Sequence, residues 1–164
     1  MNMKIKYCLF GLLFSIFFVS CKSDVLVNEI RIFDNNIWMR FEPENFEVNV
    51  DNIEDCYDIY LNLVVDTARL KEDVVPLTFN MNSPNGERRM FRTLVNIKNK
   101  NGILLGEPHD DGYVYFKHKA RNYFFFNAEG VYEIVVGQAT NRYELHGIKS
   151  VELIVERAEL IFPE

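Results

Sequence analysis

Glu107, His109, Asp110 and Asp111 form the densest group of metal-capable side chains in the chain, in a stretch bracketed by Gly106 and Gly112. Oxygen donors so placed suit Ca²⁺ in principle, but a calcium loop needs alternating carboxylates and a closing Glu, and this stretch has neither. A solvated acidic turn is the reading adopted. His118 and His146 stand apart from that stretch and from each other, whereas a zinc site needs three or four ligands whose spacing brings them together. No metal ligand is assigned. The sequence also lacks a Gly-rich phosphate loop and a Ser-centred nucleophile elbow. Its 24 acids always permit some carboxylate pair in space, yet no spacing singles one out for glycoside chemistry. No catalytic or cofactor-binding residue is assigned, and a non-enzyme is expected.

The cysteines carry a different chemistry. Lys4 and Lys6 precede an apolar run from Cys8 to Val19, the layout of a secretory signal. That run is too short for a membrane span, which needs about 20 apolar residues. Phe18-Val19-Ser20-Cys21 resembles a bacterial lipobox, with Phe18 where Leu is usual. Residues 1–20 are therefore read as a lipoprotein signal peptide and Cys21 as the acylated mature N-terminus. Residues 21–29 are read as a tether and residues 30–164 as one domain. A nine-residue tether reaches about 30 Å when fully extended. Cys8 leaves with the signal and Cys21 is blocked by lipid, so Cys56 has no intrachain partner and is read as a small buried hydrophobe.

Charge narrows the partners. Lys and Arg total 18 against 24 Asp and Glu, and the formal charge is -6. With no basic stripe, a nucleic-acid partner is excluded. Loss of residues 1–20, which hold two lysines and no acid, makes the mature chain still more acidic. Attachment to anionic lipid must then come from acyl chains, and two or three of them make release negligible. Lys117-His118-Lys119 with Arg121 is a small basic patch, read as a solvated loop. Asp66-Thr67-Ala68 resembles a short bacterial O-glycosylation site, with Thr67 as the acceptor.

These features need a scaffold, and the hydrophobic pattern has period two. Phe46, Val48 and Val50 alternate with polar residues; Tyr57, Ile59, Leu61, Leu63 and Val65 line one face of the next segment, with Asp58, Tyr60 and Asn62 on the other. Both are strands by this pattern. Leu77, Phe79 and Met81 lead into Ser83-Pro84-Asn85-Gly86 and return through Phe91, Val95 and Ile97, the clearest hairpin. Asn99 to Gly102 marks the following turn. Further strands are expected at residues 113–117, 122–126, 131–138 and 150–156, and a short helical turn at residues 141–146. Short strands, turn signals and no helices to cover a parallel sheet predict an all-β antiparallel β-sandwich, immunoglobulin-like or jelly-roll-like. Gly130-Val131-Tyr132 resembles the tyrosine corner of immunoglobulin-like sandwiches; the alternative is that Tyr132 is only a core aromatic.

Trp38, the run Tyr57-Asp58-Ile59-Tyr60-Leu61-Asn62-Leu63, Ser83-Pro84-Asn85-Gly86, Phe126 with Gly130-Val131-Tyr132, Gln138, and Leu145-His146-Gly147-Ile148 running into Val151 and Ile154-Val155-Glu156 occur in an order that resembles the GldH family of gliding-motility lipoproteins. Gly102-Ile103-Leu104-Leu105-Gly106 and Val64-Val65-Asp66-Thr67-Ala68 depart from the family pattern and bear on partner contacts more than on fold. The resemblance implies an outer-membrane lipoprotein of the gliding apparatus and its type IX secretion system, acting without catalysis. Its expected partners are the membrane, through the lipid anchor, and other envelope lipoproteins or gliding and secretion components. Only Lys22-Ser23-Asp24 follows the lipobox, with no acidic export run, so the periplasmic face is expected. The alternative is a glycan-binding sandwich displaying Trp38 with exposed Tyr60, Tyr113 or Tyr115. Ile37 and Met39 beside Trp38 favour its burial.

Overall fold

The computed structural model describes residues 24–159. Twelve strands are present: β1 (Val25–Ile32), β2 (Ile37–Met39), β3 (Glu44–Val50), β4 (Tyr57–Val65), β5 (Val74–Asn82), β6 (Arg88–Asn96), β7 (Glu107–Pro108), β8 (Val114–Phe116), β9 (Lys119–Phe124), β10 (Gly130–Gln138), β11 (Glu144–His146) and β12 (Ile148–Arg157). One sheet runs β1-β12-β4-β8-β7, with β9 also on β4; the second runs β3-β10-β5-β6; β2 and β11 form a ribbon. Every pairing between these strands is antiparallel. The all-β sandwich read from the period-two pattern is the fold of the chain.

Alternation decides what lies between the sheets. Ile59, Leu61 and Leu63 of β4 stand in register with Val155, Leu153 and Val151 of β12, and all six are fully buried. Val48, Ile134, Leu77 and Phe79 meet them from the second sheet in one continuous core. Burial of each such side chain is worth about 1.5–3 kcal/mol. Cys56 is buried, in keeping with its reading as a small hydrophobe, and has no disulfide partner among the described residues.

Three local expectations need correction. The first strand begins at Val25, inside the stretch read as tether. Its core-side positions pass from Val27 to Glu29 and Arg31, which hides the alternation. Arg31 reaches across the rim, its guanidinium 4.5 Å from the Phe46 ring and bonded to the Asn45 carbonyl at 2.8 Å. Residues 144–146, expected in a helical turn, are strand β11, because Leu145 pairs with Trp38 and is fully buried. The strand expected at residues 122–126 is β9, Lys119–Phe124, shifted because two register breaks divide its pairing with β4.

Tyr132 combines both roles considered for it. Its ring is buried, and its hydroxyl donates to Asn127 Oδ1 at 2.7 Å. The Tyr132 hydroxyl oxygen in turn accepts the N–H groups of Asn127 at 3.2 Å and Ala128 at 3.0 Å. The hydroxyl therefore pins the chain that turns into β10. Tyr132→Phe strands two backbone donors while keeping the ring, and should cost about 1–3 kcal/mol. Urea unfolding will measure it, and a midpoint equal to wild type would show that the ring alone matters.

Candidate functional site

Cys21 and the signal segment lie outside the described residues. Thr67 occupies the turn after β4, half-buried, where Asp66 Oδ1 accepts the Ala68 N–H at 3.1 Å. Glu107, His109, Asp110 and Asp111 are exposed around the β7–β8 turn, and the His109 N–H closes it on the Tyr113 carbonyl at 2.9 Å. Among the described residues no three His, Cys, Asp or Glu side chains gather around a common point. His146 pairs with Glu144 at 3.1 Å on the surface of the ribbon.

The aromatic platform does not assemble. Trp38 is 1% exposed, stacked on Phe33 with ring centroids 4.7 Å apart, and its indole N–H donates to the Glu42 carbonyl at 3.2 Å. Tyr60, expected to be exposed, is buried because Lys117 and Lys119 lie over its ring at 4.9 and 5.2 Å. Lys149 sits 4.0 Å from the Tyr113 ring. The basic patch is likewise dispersed. Lys119 pairs with Asp58 at 2.5 Å, which raises the lysine pKa through that hydrogen bond, and Arg121 lies 4.4 Å from the Phe91 ring. These cations cover rings and a buried acid within the fold.

The richest polar arrangement lies where β8 gives way to β9. Asn62 is fully buried; its amide donates to Glu152 at 2.8 Å and its oxygen accepts the His118 N–H at 3.0 Å. Tyr115 donates to the same Glu152 oxygen at 2.9 Å. Burial first, and then the Glu152 hydrogen bond, raises the Tyr115 pKa far above the ordinary phenol value. His118 places Nε2 2.6 Å from Thr93 Oγ1, tying β6 to the opposite sheet. The arrangement is a set of hydrogen-bonded polar groups around the buried Asn62 that ties neighbouring strands together.

It also has a pH consequence. Burial lowers the His118 pKa, so the folded chain keeps the ring neutral where an unfolded histidine, at about 6.5, takes up a proton. Between those two values the unfolded state binds more protons, and stability falls as pH falls. Urea midpoints from about pH 7 to about pH 5 should decline less steeply in His118→Gln. Equal slopes in the two proteins would remove His118 from the account.

Several large apolar side chains also stand at the surface. Ile30 and Ile32 stand exposed on the outer face of β1, beside Val64, Tyr115, Lys149 and Glu152 in an open groove of about 440 Å³. Met90 and Leu94 project from the outer face of β6, 77% and 52% exposed, and Ile103, Leu104 and Leu105 are exposed together in the following turn. Sequence reasoning passed over Met90 and Leu94. The signal was there, since Arg88-Arg89-Met90-Phe91-Arg92-Thr93-Leu94-Val95 carries apolar residues on both parities of one strand.

No curated protein matches the chain, and no solved structure does. A family model described as GldH lipoprotein matches residues 25–155, the span from the start of β1 to within two residues of the end of β12. The all-β sandwich and the order of motifs along the sequence thus meet in one finding: the chain belongs to the GldH lipoprotein family.

Proposed function

We propose that this chain is a non-catalytic lipoprotein anchored in the outer membrane by acylated Cys21, facing the periplasm, and acting by protein contact within the gliding apparatus and its associated type IX secretion system. Family membership is the observation that carries this reading. The start of β1 at Val25 supports a close tether, because four residue steps from Cys21 span at most about 14 Å. Asn62, Tyr115, His118 and the acids Asp58 and Glu152 are engaged with one another or with neighbouring strands, and apolar side chains and an open strand edge stand at the surface. Those suit contact. The half-buried turn at Thr67 suits the proposed O-glycosylation, which intact-mass measurement of the exported chain tests. The glycan-binding alternative loses its best residue with Trp38 buried.

Crosslinking in intact cells tests the reading. Envelope proteins should be recovered with the wild-type chain, and Cys21→Ala should lose the acyl group, leave the membrane fraction and recover far fewer of them. Recovery of none above background, or unchanged recovery by an unacylated chain, would overturn it.

A further inference from the structure

The rims of a sandwich are where another strand can add, and this chain protects its rims unequally. β1 carries a register break between Val25 and Val27 and turns Glu29 and Arg31 toward the interior. β3 receives Arg31 on its Asn45 carbonyl. β7 has two residues, and β9 is broken twice. Bulges, inward charges and short strands are the ordinary devices against edge pairing. β6 has neither a bulge nor a short run, and its one inward charge, Arg89, is held by Glu87: its nine residues pair with β5 in unbroken register, and it closes the second sheet with no further neighbour. It is the rim opposite β3, and therefore opposite the strand that leads to the anchor.

The direction of its backbone groups can be derived. The Pro76 carbonyl of β5 accepts the Ala139 N–H at 2.9 Å, so Pro76 and alternate residues from it turn their backbone groups toward β10. The residues between them, Val75, Leu77, Phe79 and Met81, turn theirs toward Val95, Thr93, Phe91 and Arg89 of β6. In an antiparallel ladder the N–H and C=O of a residue point to the same side. Arg88, Met90, Arg92, Leu94 and Asn96 therefore present theirs to the open edge. The same five residues put their side chains on the exposed outer face. Arg89 is paired with Glu87 at 2.7 Å, whereas neither Arg88 nor Arg92 has an ion-pair partner among the described residues. In an acidic chain, this edge displays two unpaired guanidinium groups with Met90 between them.

We propose that the open edge of β6 receives an extended acidic segment of a partner protein as an added strand, with acid, apolar and acid residues at alternate positions opposite Arg88, Met90 and Arg92. This rests on the contact function proposed above and names its surface and the partner's chemistry. Backbone bonds to the edge supply affinity and the alternating side chains supply selectivity. A second copy of this chain is the poorer occupant. Antiparallel self-pairing centred on Met90 sets Arg88 against Arg92, and centred on Arg92 sets that residue against itself, and like charges directly opposed are unfavourable.

The full-length lipidated protein in detergent, titrated with a labelled peptide containing Glu-Thr-Val-Thr-Glu and with its Lys-for-Glu counterpart, tests this. The Glu peptide should bind and the Lys peptide should not. Arg88→Glu with Arg92→Glu should weaken the Glu peptide by about tenfold or more, the scale of two cross-strand charge pairs turned repulsive, and should let the Lys peptide bind. Met90→Pro removes an open-edge N–H that has no bond within the sheet, and should abolish binding while leaving thermal unfolding close to wild type. If that variant fails to fold, the charge-swap arm decides. Equal binding of both peptides, no binding of the Glu peptide, or crosslinks joining β6 of two copies would overturn the proposal. Acyl labelling and membrane fractionation of the same preparations report on the lipoprotein reading separately, so a protein that is acylated and membrane-bound yet ignores the peptide refutes the edge alone.

Discussion

Alanine in place of Gly147 should leave little folded protein. Gly147 links β11 to β12 with φ of +93°, a backbone region that L side chains adopt only under strain. Its N–H donates to the Asn36 carbonyl at 2.8 Å, and its own carbonyl accepts the Asp66 N–H at 2.8 Å. An added Cβ would stand 2.5 Å from the Leu70 backbone nitrogen and 2.8 Å from the Asp66 carbonyl oxygen, and neither backbone atom can swing aside. Strain and collision together should exceed about 4 kcal/mol, at the extreme of single substitutions and a large share of a domain's usual 5–15 kcal/mol. Gly86 supplies the control. Its φ is +86°, but nothing lies within 4 Å of an added Cβ, so Gly86→Ala should cost only the conformational penalty, about 1–2 kcal/mol. Urea unfolding of the two variants side by side should separate them widely; equal small losses would mean that the turn at Gly147 relaxes.

Trp38→Ala is the second large effect. The indole fills the space between Phe33 and the β2–β11 ribbon, where its strand partner is the fully buried Leu145. Truncation to Ala should cost about 3–5 kcal/mol. Trp38→Phe keeps an aromatic against Phe33 and loses the bond to the Glu42 carbonyl, and should fall between Ala and wild type. Thermal unfolding will rank the three. A tryptophan acting as a ligand platform would give the opposite result, with stability unchanged and a binding function lost.

Both residues show how far the sequence could be read. Period two identified β3, β4, β5, β6, β10 and most of β12, because each buries one full face and so leaves alternation intact. The buried state of Trp38 was legible from its apolar neighbours. Alternation failed where burial does not follow parity. On β4 it located the strand but missed the burial of the second face, where Asp58, Tyr60 and Asn62 are also buried, covered by partners distant in the chain such as Lys119, Lys117 and Glu152. The core-side charges Glu29 and Arg31 hid β1, and the three-residue strands β2 and β11 are too short to show a period. Gly147 was quoted only for its place in the family pattern; its packing against Leu70 is a tertiary fact. For the candidate surface, the basic residues Lys117, Lys119 and Arg121 drew attention as a patch and are engaged with aromatic rings and Asp58 of the same chain. Arg88 and Arg92, which are not, gave a weaker signal because they sit within an ordinary hairpin strand.

The central claim is that a lipid on one thiol holds this sandwich at the membrane. The mass of the N-terminal peptide of the mature protein, isolated from the membrane fraction, tests it most directly. The account requires a chain beginning at Cys21 and carrying acyl mass on that residue. An unmodified Cys21, or a mature chain that begins elsewhere and is recovered in the soluble fraction, would contradict it.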